Sequence, residues 1–403
     1  MKKMMILGAG IYQVPLIQCA RRMGFETIVV SIPGVYPGFE IADRVLMIDT
    51  RDKEQVLRVA MEEQIDGICT TGTDVAVSSI GYVCDKMHLA GIPQHAAELL
   101  CDKARMKEAF LKGGVRCAQG RRVYSYPEAA ACAKELGYPV AVKRVDSSGS
   151  RGITMVYEEK DLERAFEHAR ERSNQQYVLV ERMLKGCEIG VDGYIRDHRI
   201  AFLAPHTKFV YRAEYSTVPV GHAFPCSLSA VVLDDIREQM QRALDAVGAD
   251  NCCFNADVFI DGAKSYVIEV GGRCGATCIP ELISVYYDFD YYEAMLLEAS
   301  GTRAHFPEQE KGVPCMAKLM TSPVEGTITG IDASGLEEMK KSGIDVMIDH
   351  PVGAHVFAMS DGTDRIGHVL MKTDHEKTLD AAMSQARRCV MINGRNLEEL
   401  WRN

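Results

Sequence analysis

Asn255-Ala-Asp257-Val-Phe-Ile260-Asp-Gly262-Ala-Lys264-Ser-Tyr-Val-Ile-Glu269-Val-Gly-Gly-Arg273 is the stretch on which the fold turns. Two alternating runs flank Asp261-Gly262-Ala263-Lys264, and a glycine there can take the positive φ that a tight hairpin turn needs. Pairing Asp261 with Ser265 across a three-residue loop sets Asp257 directly opposite Glu269. Side chains alternate along strands, so this register predicts Asn255, Asp257, Phe259, Val267, Glu269 and Arg273 on one face. Ala256, Val258, Ile260, Ile268 and Val270 then form the other, core-facing side. Two carboxylates opposed in this way repel, and positive charge is expected between them. Hard oxygen donors beside an arginine suit Mg²⁺ and the phosphates it carries. The competing expectation is a plain solvated acidic face.

The chain has 403 residues, enough for two or three domains with sizeable cores. Hydrophobic content of 47% and charged content of 25% are those of an ordinary globular protein. A net charge of -10 argues against a nucleic-acid surface, which needs clustered positive charge. An anionic ligand must therefore be held by local lysines, arginines and backbone N–H groups. The 14 cysteines include no C-x-x-C pair and read as free thiols of a reducing cytosol. The opening Met1-Lys-Lys-Met-Met-Ile-Leu-Gly8 runs straight into a strand, without the apolar segment and cleavage site of a signal peptide. Nothing later is long and apolar enough to span a bilayer. No membrane or nucleic-acid partner is expected, and the expected location is the cytoplasm.

The fold class is α/β and α+β. Residues 1–100 alternate strands (Met4–Leu7, Thr27–Ser31, Arg44–Ile48, Gly67–Thr70) with helices, the pattern of a doubly wound parallel sheet. Gly8-Ala-Gly10-x-x-Gln13 is an incomplete dinucleotide fingerprint: its third glycine is missing and no acidic residue ends the second strand. Thr71, Thr73 and Asp74 follow the fourth strand, the end of an open sheet where ligands bind; as a local alternative, Thr73 or Asp74 caps the next helix. Residues 101–305 form a second region with a subdomain over about 118–185. Residues 306–403 read as a small β-rich cap with a helix Glu376–Arg388.

Lys143 ends an apolar strand, where an ammonium is costly unless it reaches an anion or solvent. Ser147-Ser148-Gly149-Ser150-Arg151-Gly152 follows it, with small residues whose N–H groups can close around phosphate oxygens. It is no Walker A loop, since no Gly-Lys-Ser/Thr follows. Farther on, the strand through Glu181, Arg182, Met183 and Leu184 turns polar at its end, where backbone groups can read an adenine edge, and Glu188 can meet a ribose hydroxyl.

Lys103, then Lys143 before a glycine loop, then Glu181, Glu188, Asp257, Glu269 and Arg273, in that order, resembles the ATP-grasp superfamily. Tyr138-Pro-Val-Ala-Val-Lys143 and Val267-Ile-Glu269-Val-Gly-Gly-Arg273 are the most specific segments. The arrangement is most similar to the carboxylate–amine ligase group holding biotin carboxylase, the carbamoyl-phosphate synthetase large subunit, phosphoribosylglycinamide synthetase and the L-amino-acid ligases. The resemblance implies a Rossmann-like domain over 1–100, an ATP-grasp domain over 101–305 with its lid, and a C-terminal cap over 306–403. It implies that Lys103 and Lys143 bind ATP phosphates under a lid of Ser147, Ser148, Gly149, Ser150 and Gly152. It places adenine against Glu181, Arg182, Met183 and Leu184, ribose on Glu188, Mg²⁺ (with Mn²⁺ as a substitute, one or two ions) on Asp257 and Glu269, and the transferred phosphoryl at Arg273 and Lys143. The implied reaction joins a small-molecule carboxylate to an amine through an acyl phosphate, releasing ADP and phosphate; a homodimer is also implied.

Two departures bear on this. Gly271 stands where the family usually carries an asparagine, so a backbone carbonyl, water or Asn255 must complete the metal shell. Gly275 stands where biotin carboxylase has a bicarbonate-contacting glutamine, which speaks against bicarbonate. Alternative readings are a phosphoribosylglycinamide synthetase or carbamoyl-phosphate-synthetase-like activity, a nucleotide-binding protein without catalysis, and a nicotinamide-dependent dehydrogenase built on the Gly8-Ala-Gly10 turn. Candidate substrate contacts are Thr71, Thr73, Asp74, His206, Lys208, Arg212, His222 and Arg273.

Overall fold

Unbroken apolar runs build the first sheet: Met4, Met5, Ile6 and Leu7 are all fully buried, as parallel strands covered on both faces require. Strands β1 (Lys3–Leu7), β2 (Glu26–Ser31), β3 (Arg44–Met47) and β4 (Gly67–Cys69) pair in parallel in the order β3-β2-β1-β4. The chain is represented by a computed structural model that describes residues 1–146, 152–171, 173–212, 217–308, 312–360 and 362–402, the side chains of Arg212 and Thr217 excepted. Its contacts divide it into two compact units. The first holds 1–205, 227–276 and 290–308; the second holds 206–226, 277–289 and 309–403.

The glycine turn after β1 is filled from within. Gly8 has φ +99°, and the Gln13 side chain folds back over it. Gln13 Oε1 accepts the Gly10 N–H at 2.9 Å while its Nε2 donates to the Thr71 carbonyl. A dinucleotide pyrophosphate would need that same N–H group, so the dehydrogenase reading loses its anchor.

Also in the first unit, β5 (Gly120–Val123), β6 (Val140–Lys143), β7 (Ile153–Val156) and β8 (Val178–Arg182) form an antiparallel sheet in the order β5-β8-β6-β7. The helices Tyr126–Leu136 and Leu162–Glu171 cover one face through Ala129, Cys132, Leu162, Phe166 and Ala169. Next come β9 (Cys187–Arg196) and β10 (Arg199–Arg212), which leaves this unit after Pro205, and β11 (Thr217–Phe224) of the second unit. β12 (Cys252–Asp261) and β13 (Lys264–Gly271) return to the first unit, with β12 between β9 and β13.

The β12–β13 hairpin reaches the expected pairing by another route. Asp261 pairs with Lys264 across a two-residue turn in which Gly262 takes φ +60°, not with Ser265 across three. Val258 then faces Val267, the register shifts by one, and Asp257 faces Glu269. Ile268 is thus the extra residue of a bulge. In consequence Val267, expected beside the carboxylates, sits on the packed face with Val258, and both are fully buried. Ile268, expected in the core, is only partly buried.

The second unit pairs the remainder of β10 with β11, followed by β14 (Cys315–Thr321) beside β11; β15 (Gly326–Ile331), β16 (Ile344–Ile348), β17 (His355–Val356), β18 (Arg365–Lys372), β19 (Val390–Ile392) and β20 (Arg395–Asn396) complete it. Its core joins Met320, Ile328, Val346, Ile366, Val369 and Leu379, the last from the expected helix Glu376–Arg388. Among the described residues no helix is long and apolar enough to cross a membrane.

The bulged register has a direct test. Val267→Asp would place a carboxylate in the core and is expected to cost roughly 3 kcal/mol or more, whereas Ile268→Asp at the bulge should cost about 1 kcal/mol. Denaturant unfolding of both variants measures this, and the reverse order would support the unbulged pairing.

Candidate active site

A helix start delivers the first cation. Asp102 caps the helix Lys103–Lys112 by accepting the N–H groups of Ala104 (2.9 Å) and Arg105 (3.0 Å). Lys103 and Lys107, four residues apart, share one helical face. The Lys103 ammonium pairs with Glu269 on β13. Burial brings the Lys103 pKa down to about 8, and the charge of Lys143 acts in the same sense; Asp74, Asp257 and Glu181 oppose them.

Lys107 reaches a different acid. Its Nζ lies 3.1 Å from one oxygen of Glu181, and Lys143 pairs with the other oxygen. The sheet register explains the second contact: Ala141 is opposite Glu181, so Lys143 lies diagonally across the same face. All three are nearly inaccessible, at 2% for Lys107, 3% for Glu181 and 7% for Lys143. Burial alone would raise the Glu181 pKa, but the two ammonium groups outweigh it and hold the carboxyl well below its usual range. The Glu181 side chain is therefore a counterion for two lysines. Only its backbone remains for reading a base edge.

Arg273 is held from two sides. Its Nη2 donates to the Asp74 carboxylate at 2.8 Å, and its Nη1 donates to Asn255 Oδ1 at 2.8 Å. Asn255 in turn gives its amide N–H to Asp192 at 2.7 Å, and Asp192, fully buried on β9, also accepts the Gly275 N–H at 2.8 Å. Both polar ends of the Asn255 amide are thus engaged away from the two hairpin carboxylates. Burial works against the Arg273 charge, yet Asp74 foremost, with Asp192 and Cys274, offsets it and the pKa is raised. Nε of Arg273 has no hydrogen-bond partner among the described residues.

These groups surround a cavity of about 560 Å³, in the size range of small-molecule sites. Asp74, Lys103, Asn255, Asp257, Glu269, Gly271 and Arg273 line it, with Arg51, Arg144 and Asp146 among the other polar residues of a wall that Leu100, Met106 and Val145 share. Lys143 and Glu181 stand behind Lys103 and are not part of the lining. Thr71 is buried with its hydroxyl donated to the Tyr12 carbonyl at 2.6 Å, whereas Thr73 is half-buried. Neither Thr73 nor Asp74 caps the following helix Val77–Met87, whose N-cap is Ala76.

Arg182 is exposed and bonds the Leu136 carbonyl at 2.8 Å; Met183 and Leu184 are half-buried beyond β8. Glu188 lies on β9 opposite Phe259. Gly152, at φ +72°, accepts the Arg144 N–H at 2.8 Å. Ser147, Ser148, Gly149, Ser150 and Arg151 lie outside the described residues, as does the Arg212 side chain. His206 and His222 belong to the second unit, buried edge to face with ring centroids 4.7 Å apart; Lys208 is paired with His222 in the β10–β11 ladder. Burial and the neighbouring His206 and Lys208 push the His222 pKa well down.

Sequence reasoning missed Lys107 and Asp192. The four-residue spacing from Lys103 could have flagged the first. For the second, the signal was an acid inside the run Ile189-Gly-Val-Asp192-Gly-Tyr194, otherwise apolar.

Residues 120–286 match the family model described as D-ala D-ala ligase C-terminus. A formate-dependent phosphoribosylglycinamide formyltransferase from a Nitratiruptor species is 27% identical over 287 residues, covering 67% of this chain and 69% of that protein. The solved phosphoribosylglycinamide synthetase from Anaerococcus prevotii superposes with a TM-score of 0.81 at 24% identity, over 98% of this chain and 100% of that one. The biotin carboxylase domain of Hydrogenobacter thermophilus 2-oxoglutarate carboxylase, crystallised with MgADP, ADP and bicarbonate, gives a TM-score of 0.79 at 18% identity, over 98% of this chain and 91% of that one. With its lysines, opposed carboxylates and arginine arranged on this fold, the chain is similar in sequence over residues 120–286 to the D-ala D-ala ligase C-terminus family and shares the fold of these ligases and carboxylases.

Proposed function

We propose that this protein is an ATP-dependent carboxylate–amine ligase that forms an amide through an acyl phosphate and releases ADP and phosphate. The observation that carries the reading is the convergence of Asp257, Glu269, Lys103 and Arg273 on one cavity. A carboxylate is a poor electrophile because its leaving group would be oxide. One of its oxygens attacks the γ-phosphorus of ATP and ADP departs; the amine then attacks the acyl carbon, phosphate departs, and the amine loses a proton.

The donor set fits a nucleotide-borne Mg²⁺. Among the described residues no three acidic, His or Cys side chains form a metal cage by themselves. Mg²⁺ bound with nucleotide commonly takes one or two protein carboxylates and completes its shell with phosphate oxygens and water. Asp257 and Glu269 would be those carboxylates, and Mn²⁺ would be accepted by the same oxygens. When bound, the ion would neutralise charge on the transferred phosphoryl group. The protein's own part is to position and to balance charge. Lys103 and Lys143 would hold phosphate oxygens, the glycine-serine loop through Gly152 would exclude water, and the guanidinium of Arg273, which lines the cavity, would meet the transferred phosphoryl group. Glu181 acts through the two lysines it fixes, and the strand end from Arg182 to Leu184, with Glu188, would receive the nucleoside. The 14 cysteines are thiols not joined in disulfides, which supports a cytoplasmic site of action.

Two variants test this. With Mg·ATP and a panel of paired amino acids and small carboxylates, Glu269→Gln is expected to lower ADP formation on the order of 10²-fold or more with an unchanged circular dichroism spectrum; wild-type turnover would refute the metal assignment. Glu181→Gln leaves two buried ammonium groups short of a counterion. It is expected to cost about 3 kcal/mol of stability and to raise the KM for ATP. An unchanged KM alongside that loss would remove Lys143 from the phosphate site.

A further inference from the structure

Gly271 ends β13 without a side chain, and the surrounding atoms show why. A Cβ built on it would stand 2.8 Å from Asp74 Oδ1 and 3.4 Å from Arg273 Cζ. Its backbone φ is not in the positive region, so conformational freedom is not what requires glycine there. Space is. The room beside residue 271 is taken by a carboxylate that arrives from the loop after β4, nearly two hundred residues earlier in the chain, to meet Arg273 Nη2 at 2.8 Å.

We infer that Asp74 is a positioning residue for Arg273, and that Gly271 lacks a side chain because the Asp74 carboxylate occupies that volume. Arginine ends a side chain with four rotatable bonds, and an unclamped guanidinium would have to be ordered at the moment of reaction. Asn255 fixes Nη1 and Asp74 fixes Nη2, which orients the plane of the group at the cavity wall. A donor set in place beforehand costs no reorganisation in the transition state. Asp74 does not serve its own helix, whose N-cap is Ala76 with no side-chain bond. Asp74 also balances the buried Arg273 charge, as Asp192 does to a smaller extent, but a bond from Nη2 fixes orientation as well. What Asp74 adds is direction. The inference rests on the ligase reading in one respect, namely that Arg273 meets the reacting group.

The test is a double-mutant cycle of Asp74→Ala and Gly271→Ala, with Asp74→Asn as the conservative variant. Turnover and thermal midpoint are both measured. Asp74→Ala is expected to lower kcat on the order of 10²-fold while leaving the KM for ATP within about threefold, the signature of a misplaced group. Asp74→Asn, which keeps an acceptor oxygen of the same reach, should recover a substantial part of that loss. Gly271→Ala should lower kcat in the wild-type background yet change it less than about twofold once Asp74 is alanine. Losses that multiply, or an Asp74→Ala effect confined to the KM of the amine or carboxylate substrate, would overturn the inference. If the wild-type chain forms no ADP with any substrate pair, the ligase reading fails. The thermal cycle then decides the spatial claim by itself: Gly271→Ala must lower the midpoint when Asp74 is present and not when it is alanine.

Discussion

Two like charges face each other across β12 and β13, and most of the first unit can be read as an answer to that fact. Asp257 opposite Glu269 is an unfavourable cross-strand pair. The hairpin tolerates it because Lys103 is brought against Glu269 by a helix whose start Asp102 caps. The carboxylates cannot both turn into the core, since Ala256, Val258, Val267 and Val270 fill the opposite face. The bulge at Ile268 is what reconciles these demands. It lets Val267 pack against Val258 while Glu269 still meets Asp257. A regular ladder continuing from the same two-residue turn would have set Ile268 there.

Behind that pair stands a second electrostatic arrangement, deeper and more costly. Lys107, Glu181 and Lys143 come from a helix and two strands, and together they place a net positive charge where water scarcely reaches. Such a cluster is weak evidence for stability, because desolvating three ions takes back much of what their attraction supplies. Its value lies in geometry. Glu181 fixes the direction of Lys143, and the field of Lys143 contributes to the low pKa of Lys103. Two buried cations, Lys107 and Lys143, are thereby held on the two oxygens of one acid.

The sequence carried the fold further than the site. The parallel sheet of residues 1–100 was legible because its strands are continuous apolar runs closed by glycine and polar turns, a local signal. The hairpin was legible through its alternation, and its central pairing followed even though the turn was misjudged by one residue and Val267 assigned to the wrong face. A bulge leaves no mark in an alternating pattern when the extra residue is itself apolar, as Ile268 is. The cradle of Arg273 was not legible. Asp74, Asp192, Asn255 and Arg273 are separated by up to about two hundred residues, and nothing local says that an acid after β4 reaches an arginine after β13. Gly271 could be noticed as a departure from a family pattern, but its reason is a contact with Asp74, which only the assembled structure brings alongside.

A chain with a net charge of -10 can still hold a polyanion, and the manner in which it does so follows from range. Beyond a Debye length of about 8 Å the acidic exterior is largely screened in physiological salt. Inside the cavity the screening is weaker, and what counts is which charges lie within a few ångströms. There Arg51, Lys103, Arg144 and Arg273 share the walls with Asp74, Asp146, Asp257 and Glu269, so the formal charges of the lining cancel. A triphosphate alone would gain little from it. A triphosphate that brings a divalent cation would meet carboxylates with the metal and ammonium and guanidinium groups with its oxygens. Under the ligase reading, selectivity for the metal complex over the free nucleotide would follow from this mixed lining.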